Sequence, residues 1–290
     1  MRKSLLNRTI TSTALLLCLI AVPALPAAAA DATPRPANDN LNAVLWDQTS
    51  VEAKANAIGA YALAQVRLDQ ALADKAWTAA PVEQTGSFAD LPPAIILDVD
   101  DTLLNTSAYQ AWNIKAGTSF SPTTWTDYVK SQTDVAIPGA VAFTQYAASK
   151  GVKVFYVTNR SKEEKGPTVK EMKKLGFPMG DNVDTFLASK EQPDWSSAKG
   201  TRRAFIAKNY RILLMLGDNL GDFTDDYKGT LEQRYKVYSD AAAHWGHDWI
   251  VIANPTYGSF ESAPYHGDYK LSPEAQRQMK TEALKAWDGK

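Results

Sequence analysis

Cysteine is almost missing from this sequence. The single copy among 290 residues is Cys18, which rules out a disulfide framework and a cysteine-built zinc site. Histidine is nearly as scarce, with three copies. His244 and His247 have a spacing that would suit two metal ligands on a helix, but no further histidine or cysteine lies nearby, so a solvated helix end is the better reading. No apolar run reaches the roughly 20 residues that a membrane-spanning helix needs. A strong charge of one sign is missing as well. Thirty-one Lys and Arg face 32 Asp and Glu, for a formal charge of −1, which gives no footprint for a nucleic-acid polymer or an anionic membrane surface. No internal repeat is present.

The first thirty residues have the layout of an export signal. Arg2, Lys3 and Arg8 form a basic start, Ala14 to Val22 an apolar middle, and Ala27 to Ala30 a small-residue cleavage zone. Cleavage after Ala30 removes three basic residues and takes the formal charge from −1 to −4. It also removes Cys18. A lipoprotein signal needs a small residue before its cysteine, and Leu17 stands there, so no lipid anchor is expected. The expectation is a periplasmic or secreted protein held together by its core alone. Residues 31–40, with Pro34 and Pro36, read as a flexible leader.

The stretch that organises the remainder is Ile95-Ile96-Leu97-Asp98-Val99-Asp100-Asp101-Thr102. An unbroken apolar run suits a strand buried on both faces at the centre of a parallel sheet. Clustered carboxylates at its C-terminal edge belong where open α/β sheets place their ligands. Residues i and i+2 of an extended chain share a side, so Asp98 and Asp100 can converge while Asp101 points elsewhere. Two carboxylates brought together need a cation or a shared proton.

Around this strand, Thr49 and Glu52 have the capping-box spacing and predict a helix start. Val51, Ile58, Tyr61, Leu68 and Leu72 would form its apolar face. The segment 105–137 leads to no second strand. It reads as an aromatic-rich helical insertion, with Ser121-Pro122 starting a helix over Thr123 to Lys130. Pro138 to Lys150 forms a helix stopped by Gly151, and Val152 to Val157 a second buried strand ending in Thr158-Asn159-Arg160. Lys162 to Lys165 reads as an exposed, charge-paired helix start, and the helix runs to Leu175 before Gly176. A short strand follows near Phe186-Leu187, then a helix from Ser197 to Lys208. Strands over Arg211 to Leu216 and Trp249 to Ala253 precede a last helix opened by Ser272-Pro273. This alternation predicts a parallel sheet covered on both faces.

The Asp98–Thr102 motif resembles the first motif of the haloacid dehalogenase-like (HAD) phosphohydrolases. Thr158-Asn159 is similar to the second, Lys199 to the third, and Asp218 with Asp222 to the fourth. Leu45–Ser50, Val157–Arg160, Ser197-Ala198-Lys199, Gly217–Phe223 and Asn254–Gly258 narrow the likeness to the bacterial class C acid phosphatases. That family includes lipoprotein 5′-nucleotidases. The resemblance spans about Leu41 to Glu261 and departs from the family at the missing lipoprotein signal.

It implies a three-layer α/β/α HAD-type parallel sheet over residues 41–290, with a small helical cap from about 41–80 and 105–137. It makes Asp98 the nucleophile and Asp100 the general acid and base. Thr158, Asn159 and Lys199 become phosphate ligands. Mg²⁺ falls to Asp98, the Asp100 carbonyl and Asp218, with Asp222 beside them, while Trp125 and Tyr257 become candidates for stacking on a substrate ring. An acid at position 100, where HAD ATPases carry threonine and dehalogenases an aromatic, favours hydrolysis of a phosphomonoester. Nucleoside 5′-monophosphates and aryl phosphates are the expected substrates, and a homodimer is a common family state. The competing readings are a phosphomutase and a non-catalytic exported binding protein, for instance one for haem uptake.

Overall fold

The computed structural model describes residues 39–289. The expected export signal, and the leader up to residue 38, lie outside that range. Among the described residues, no helix is long and apolar enough to cross a membrane.

The chain forms α1 (Leu41–Thr49), α2 (Val51–Ala73), β1 (Pro93–Leu97), β2 (Leu104–Asn105), α3 (Ser107–Ala116), α4 (Pro122–Ser131), β3 (Val135–Ala136) and α5 (Ala140–Ser149). It continues through β4 (Lys153–Ser161), α6 (Lys162–Leu175), β5 (Phe186–Ser189), α7 (Gly200–Ala207), β6 (Arg211–Gly217), α8 (Leu231–Asp240), β7 (Trp249–Val251), α9 (Ser259–Ser262) and α10 (Pro273–Glu282). The order across the main sheet is β5-β4-β1-β6-β7, and every pairing is parallel. The chain therefore winds outward from β1 to one edge, then returns to build the other side from β6. The direction reverses between β1 and β6, and open α/β sheets bind ligands at such a switch point.

Alternation along β1 divides the core in two. Ile95 and Leu97 pack with Tyr61 and Leu68 of α2, Phe143 of α5 and Met172 of α6. Ile96 packs on the opposite face with Phe155, Trp195, Ile206 of α7 and Trp249. Helices thus cover both faces of the sheet, as the strand and helix alternation predicts.

Several local expectations are corrected. The cap of α2 is Ser50, whose hydroxyl accepts from the Ala53 N–H, while the Thr49 hydroxyl turns back to the Leu45 carbonyl. Val51 and Ile58 are exposed, and the buried face is Ala57, Tyr61, Ala64, Leu68 and Ala71. Small alanines let α2 lie close on α5 and β6, so this helix forms part of the core wall and not of a cap. The 105–137 insertion is bracketed by a ribbon that the sequence pattern does not announce, in which β2 pairs antiparallel with β3. Finally, α7 begins at Gly200, which leaves Ser197 and Ala198 in the preceding loop and Lys199 as its N-cap.

Candidate active site

The apolar run of β1 ends at Asp98, whose N–H donates to the Leu216 carbonyl at 3.0 Å. This ladder contact sets the ends of β1 and β6 side by side, so Asp98 and Asp218 meet across the switch point. Immediately after β1 the chain turns through Asp101, at a left-handed φ of +53°. Aspartate tolerates that region better than most residues. Its carboxylate accepts from the Thr106 N–H and hydroxyl at 2.9 and 2.5 Å, which locks the turn and keeps Asp101 out of the cluster.

After β6, Gly217 is required by close approach. A Cβ there would lie 2.2 Å from Asp222 Oδ2. Asp222 can therefore fold back against the strand end, where Oδ2 accepts the Asn219 N–H at 2.9 Å and Oδ1 accepts Lys199 Nζ at 2.7 Å. Lys199 Nζ also donates to Asp98 Oδ1. Asp218 is held by Asn254 Nδ2 at 2.8 Å, from the loop after β7.

Asp98, Asp218 and Asp222 each offer a carboxylate oxygen within 4.8 Å of the others. Burial is the main cause that pushes the Asp98 carboxyl up to about 7, with Asp222 and Asp100 adding to it and Lys199 opposing. Asp218 is raised well above the usual carboxylate range by burial, then by its acidic neighbours. Desolvation also works against the charge on Lys199, but Asp222 and Asp98 outweigh it and hold the ammonium firmly protonated. One ammonium does not offset three clustered carboxylates. A hard divalent cation with oxygen ligands fits this donor set, and a histidine- or thiol-seeking metal does not. His244 instead bonds Asp248 at 2.8 Å and stacks on Trp249, and His247 stacks on Trp77.

These groups open into a cavity of about 570 Å³ that brings together Asp98, Asp100, Asn159, Lys199, Asp218, Asp222 and Tyr257. Its outer wall carries Tyr227, Lys228, His266 and Tyr269. Burial, with Asp101 adjoining, raises the Tyr257 hydroxyl far above its ordinary range. Two of the expected site residues lie elsewhere. Thr158 is fully buried beneath the floor, its oxygen accepting the Arg160 N–H at 3.0 Å. Trp125 lines a neighbouring groove of about 970 Å³, which shares Asn159 and Ser197 with the first cavity. Trp125 and Tyr257 thus line adjoining cavities that meet at Asn159 and Ser197.

Three buried charged residues that support the site are not evident from the sequence. Arg160, 1 % exposed, donates to Asp100 at 2.7–2.8 Å and to Asp134 at 2.8 Å, with the Trp125 ring 5.5 Å away. The Tyr128 hydroxyl also donates to Asp134. Asp100 is raised by burial and pulled down by Arg160. Arg202, with no exposed surface, grips the end of β4. Glu164, expected on an exposed helix start, is buried; it closes a capping box with Ser161 and accepts the Thr126 hydroxyl at 2.7 Å.

A parallel sheet with acids at its switch point is a scaffold for many chemistries, and the comparisons with known proteins decide among them. The profile of the HAD superfamily, subfamily IIIB (acid phosphatase), matches residues 5–260. The class C acid phosphatase from Bacillus anthracis is 32% identical and superposes with a TM-score of 0.75 over 86% of this chain and 98% of that one. The same enzyme's structure with tungstate bound matches at 31% identity over the same shares, again with a TM-score of 0.75. The family profile spans the whole sheet and every residue of the carboxylate cluster. The chain belongs to the HAD subfamily IIIB acid phosphatases and is a phosphomonoesterase.

Proposed function

We propose that this enzyme is a Mg²⁺-dependent phosphatase acting through an aspartyl-phosphate on Asp98, with nucleoside 5′-monophosphates and aryl phosphates as its substrates. The observation that carries the reading is the cavity floor. Asp98 and Asp100 lie together, Lys199 bonds the first, and Arg160 bonds the second. An Asp98 carboxylate oxygen attacks phosphorus as the ester P–O bond breaks, and the Asp100 proton goes to the departing alkoxide. Water then attacks the phosphoaspartate and gives its proton to Asp100, which releases inorganic phosphate and restores both carboxyls. Lys199 stabilises the phosphoryl oxygens and favours the ionised form of the nucleophile against its burial. Asp98, the Asp100 carbonyl and Asp218, with Asp222 beside them, would hold Mg²⁺, which would supply positive charge against the phosphoryl oxygens. Export to the periplasm or the medium, as the first thirty residues indicate, would expose the enzyme to such esters.

The preference for a ringed leaving group rests on the tyrosines of the cavity wall, Tyr227, Tyr257 and Tyr269. A panel of nucleoside monophosphates, aryl phosphates and ringless alkyl phosphates, with Mg²⁺ and with EDTA, tests the reading. Ringed esters should lead by roughly tenfold or more in kcat/KM, and Tyr257→Ala should erase most of that lead, since stacking is worth about 1–3 kcal/mol. Equal rates on ringed and ringless esters would remove the substrate assignment. Full activity in a metal-free preparation would remove the Mg²⁺ requirement.

A further inference from the structure

Arg202 carries no exposed surface and lines neither cavity at the site, yet its hydrogen bonds converge on β4, β5 and the loop before α7, beside the site. Nη1 donates to the Thr158 carbonyl and, at 3.4 Å, to that of Leu187. Nη2 donates to Asn159 Oδ1 at 3.0 Å, to the Ser196 carbonyl at 2.8 Å and to the Ala198 carbonyl at 3.4 Å. Nε has no partner, so the guanidinium is placed to serve its two Nη groups. Burial lowers its pKa to about 10, and at neutral pH it remains a cation.

A guanidinium donates hydrogen bonds and accepts none. The Asn159 atom that faces it must therefore be the amide oxygen, which turns the amide nitrogen away from Arg202. Asn159 lines both the catalytic cavity and the neighbouring groove. The grip on Thr158 acts in the same sense. A trans peptide is planar with its C=O and N–H antiparallel, so a carbonyl held toward α7 directs the Asn159 backbone N–H the opposite way.

We propose that Arg202 is a positioning residue that fixes Asn159 so that its side-chain N–H₂ faces the phosphate in the cavity. This rests on the phosphatase reading above. The arginine contributes through the orientation of a donor, and its planar fork is what allows it to hold a backbone carbonyl and a side-chain oxygen together.

The test uses the full chain with Mg²⁺, inorganic phosphate as a competitive inhibitor and an aryl phosphate as substrate. Asn159→Asp keeps an oxygen toward Arg202 and adds a charge to it, so Tm should hold or rise. It also replaces the donor in the cavity by a negative oxygen. Phosphate affinity and kcat/KM should then fall by about 100-fold or more, the scale of losing a donor to a developing oxyanion. Asn159→Leu removes the donor without adding charge; it should lower Tm and cost less activity than Asn159→Asp. Arg202→Lys retains the charge but not the fork, and its loss of kcat/KM should largely vanish in the Asn159→Leu background. The proposal is overturned if Asn159→Asp binds phosphate as tightly as the parent protein, if it lowers Tm as Asn159→Leu does, or if the Arg202→Lys and Asn159→Leu losses simply add. Should Arg202→Lys fail to fold, the opposed responses of Tm and phosphate affinity in Asn159→Asp decide the question alone. The failure of the phosphatase reading itself would look different, since the parent protein would not hydrolyse the ester.

Discussion

Replacing Asp98 by asparagine should destroy turnover and, in metal-free protein, raise stability. The first effect follows from losing the attacking oxygen. The second follows from electrostatics, because the Asp98 carboxyl is raised from 3.8 to about 7, chiefly by burial. A folded-state pKa above the unfolded value means that stability is fully present below about pH 4 and is lost as pH rises through 7. Asparagine imitates the protonated acid at every pH. The variant and the parent should therefore match near pH 4 and diverge upward, by roughly 2–4 kcal/mol at pH 8 at about 1.4 kcal/mol per unit. For a domain of this size that corresponds to roughly 5–15 °C in Tm. Thermal unfolding in EDTA across this range is the assay. Added Mg²⁺ should close the gap by stabilising the parent more, since only the parent presents the full carboxylate set. A difference in Tm that is independent of pH, or a stabilisation untouched by Mg²⁺, would refute the view that this cluster stores repulsion for a cation to relieve.

Asp100→Asn should slow alkyl phosphates far more than aryl phosphates with good leaving groups, by about 10²- to 10⁴-fold for the former. Equal losses in single-turnover phosphorylation of the two classes would count against Asp100 as the acid. Glu171, buried and raised to about 7 by burial and by Asp134, obeys the same sign rule as Asp98 without lying in the metal cluster. Its Oε1 accepts the Asp134 N–H at 2.8 Å, a bond that glutamine can keep. Glu171→Gln should leave stability near pH 4 unchanged and raise it by about 1–3 kcal/mol at pH 8, measured by denaturant unfolding; a loss of stability at pH 8 would show that the acid is needed ionised.

What the sequence made legible is what local chemistry dictates. An apolar run that stops at carboxylates is the pattern of a buried strand feeding a site. Two such runs, ending at Asp98 and Asp218, mark strand edges that carry acids, and the strand order sets them side by side at the switch point. The roles of Lys199, Asp218 and Asp222 came from the resemblance to the HAD motifs. The alanine-lined face of α2 was hidden because the larger Val51 and Ile58 carry a stronger apolar signal, although they face solvent. The ribbon of β2 and β3 is too short to leave a periodicity. Arg160, Glu164 and Arg202 were hidden for a different reason. A charged side chain in a sequence reads as surface, and only the fold reveals the partners that make its burial tolerable. Their one sequence signal was adjacency to Thr158-Asn159 and Lys199.

The polar seam between the insertion and the sheet constrains how the enzyme exchanges substrate for product. Thr126 is tied to Glu164, Tyr128 to Asp134, and Asp134 through Arg160 to Asp100. The insertion is in effect riveted to β4 and α6, and it could not swing without dragging Asp100 from its place. The cavity wall at Tyr227, Lys228, His266 and Tyr269 is the freer side, where the side chains of Lys228, His266 and Tyr269 are accessible to solvent. Two halves of the cavity thereby have separate freedoms: one side is fixed because the reaction depends on its geometry, while the other can change its residues, and hence its clientele, without disturbing a single bond of the catalytic floor.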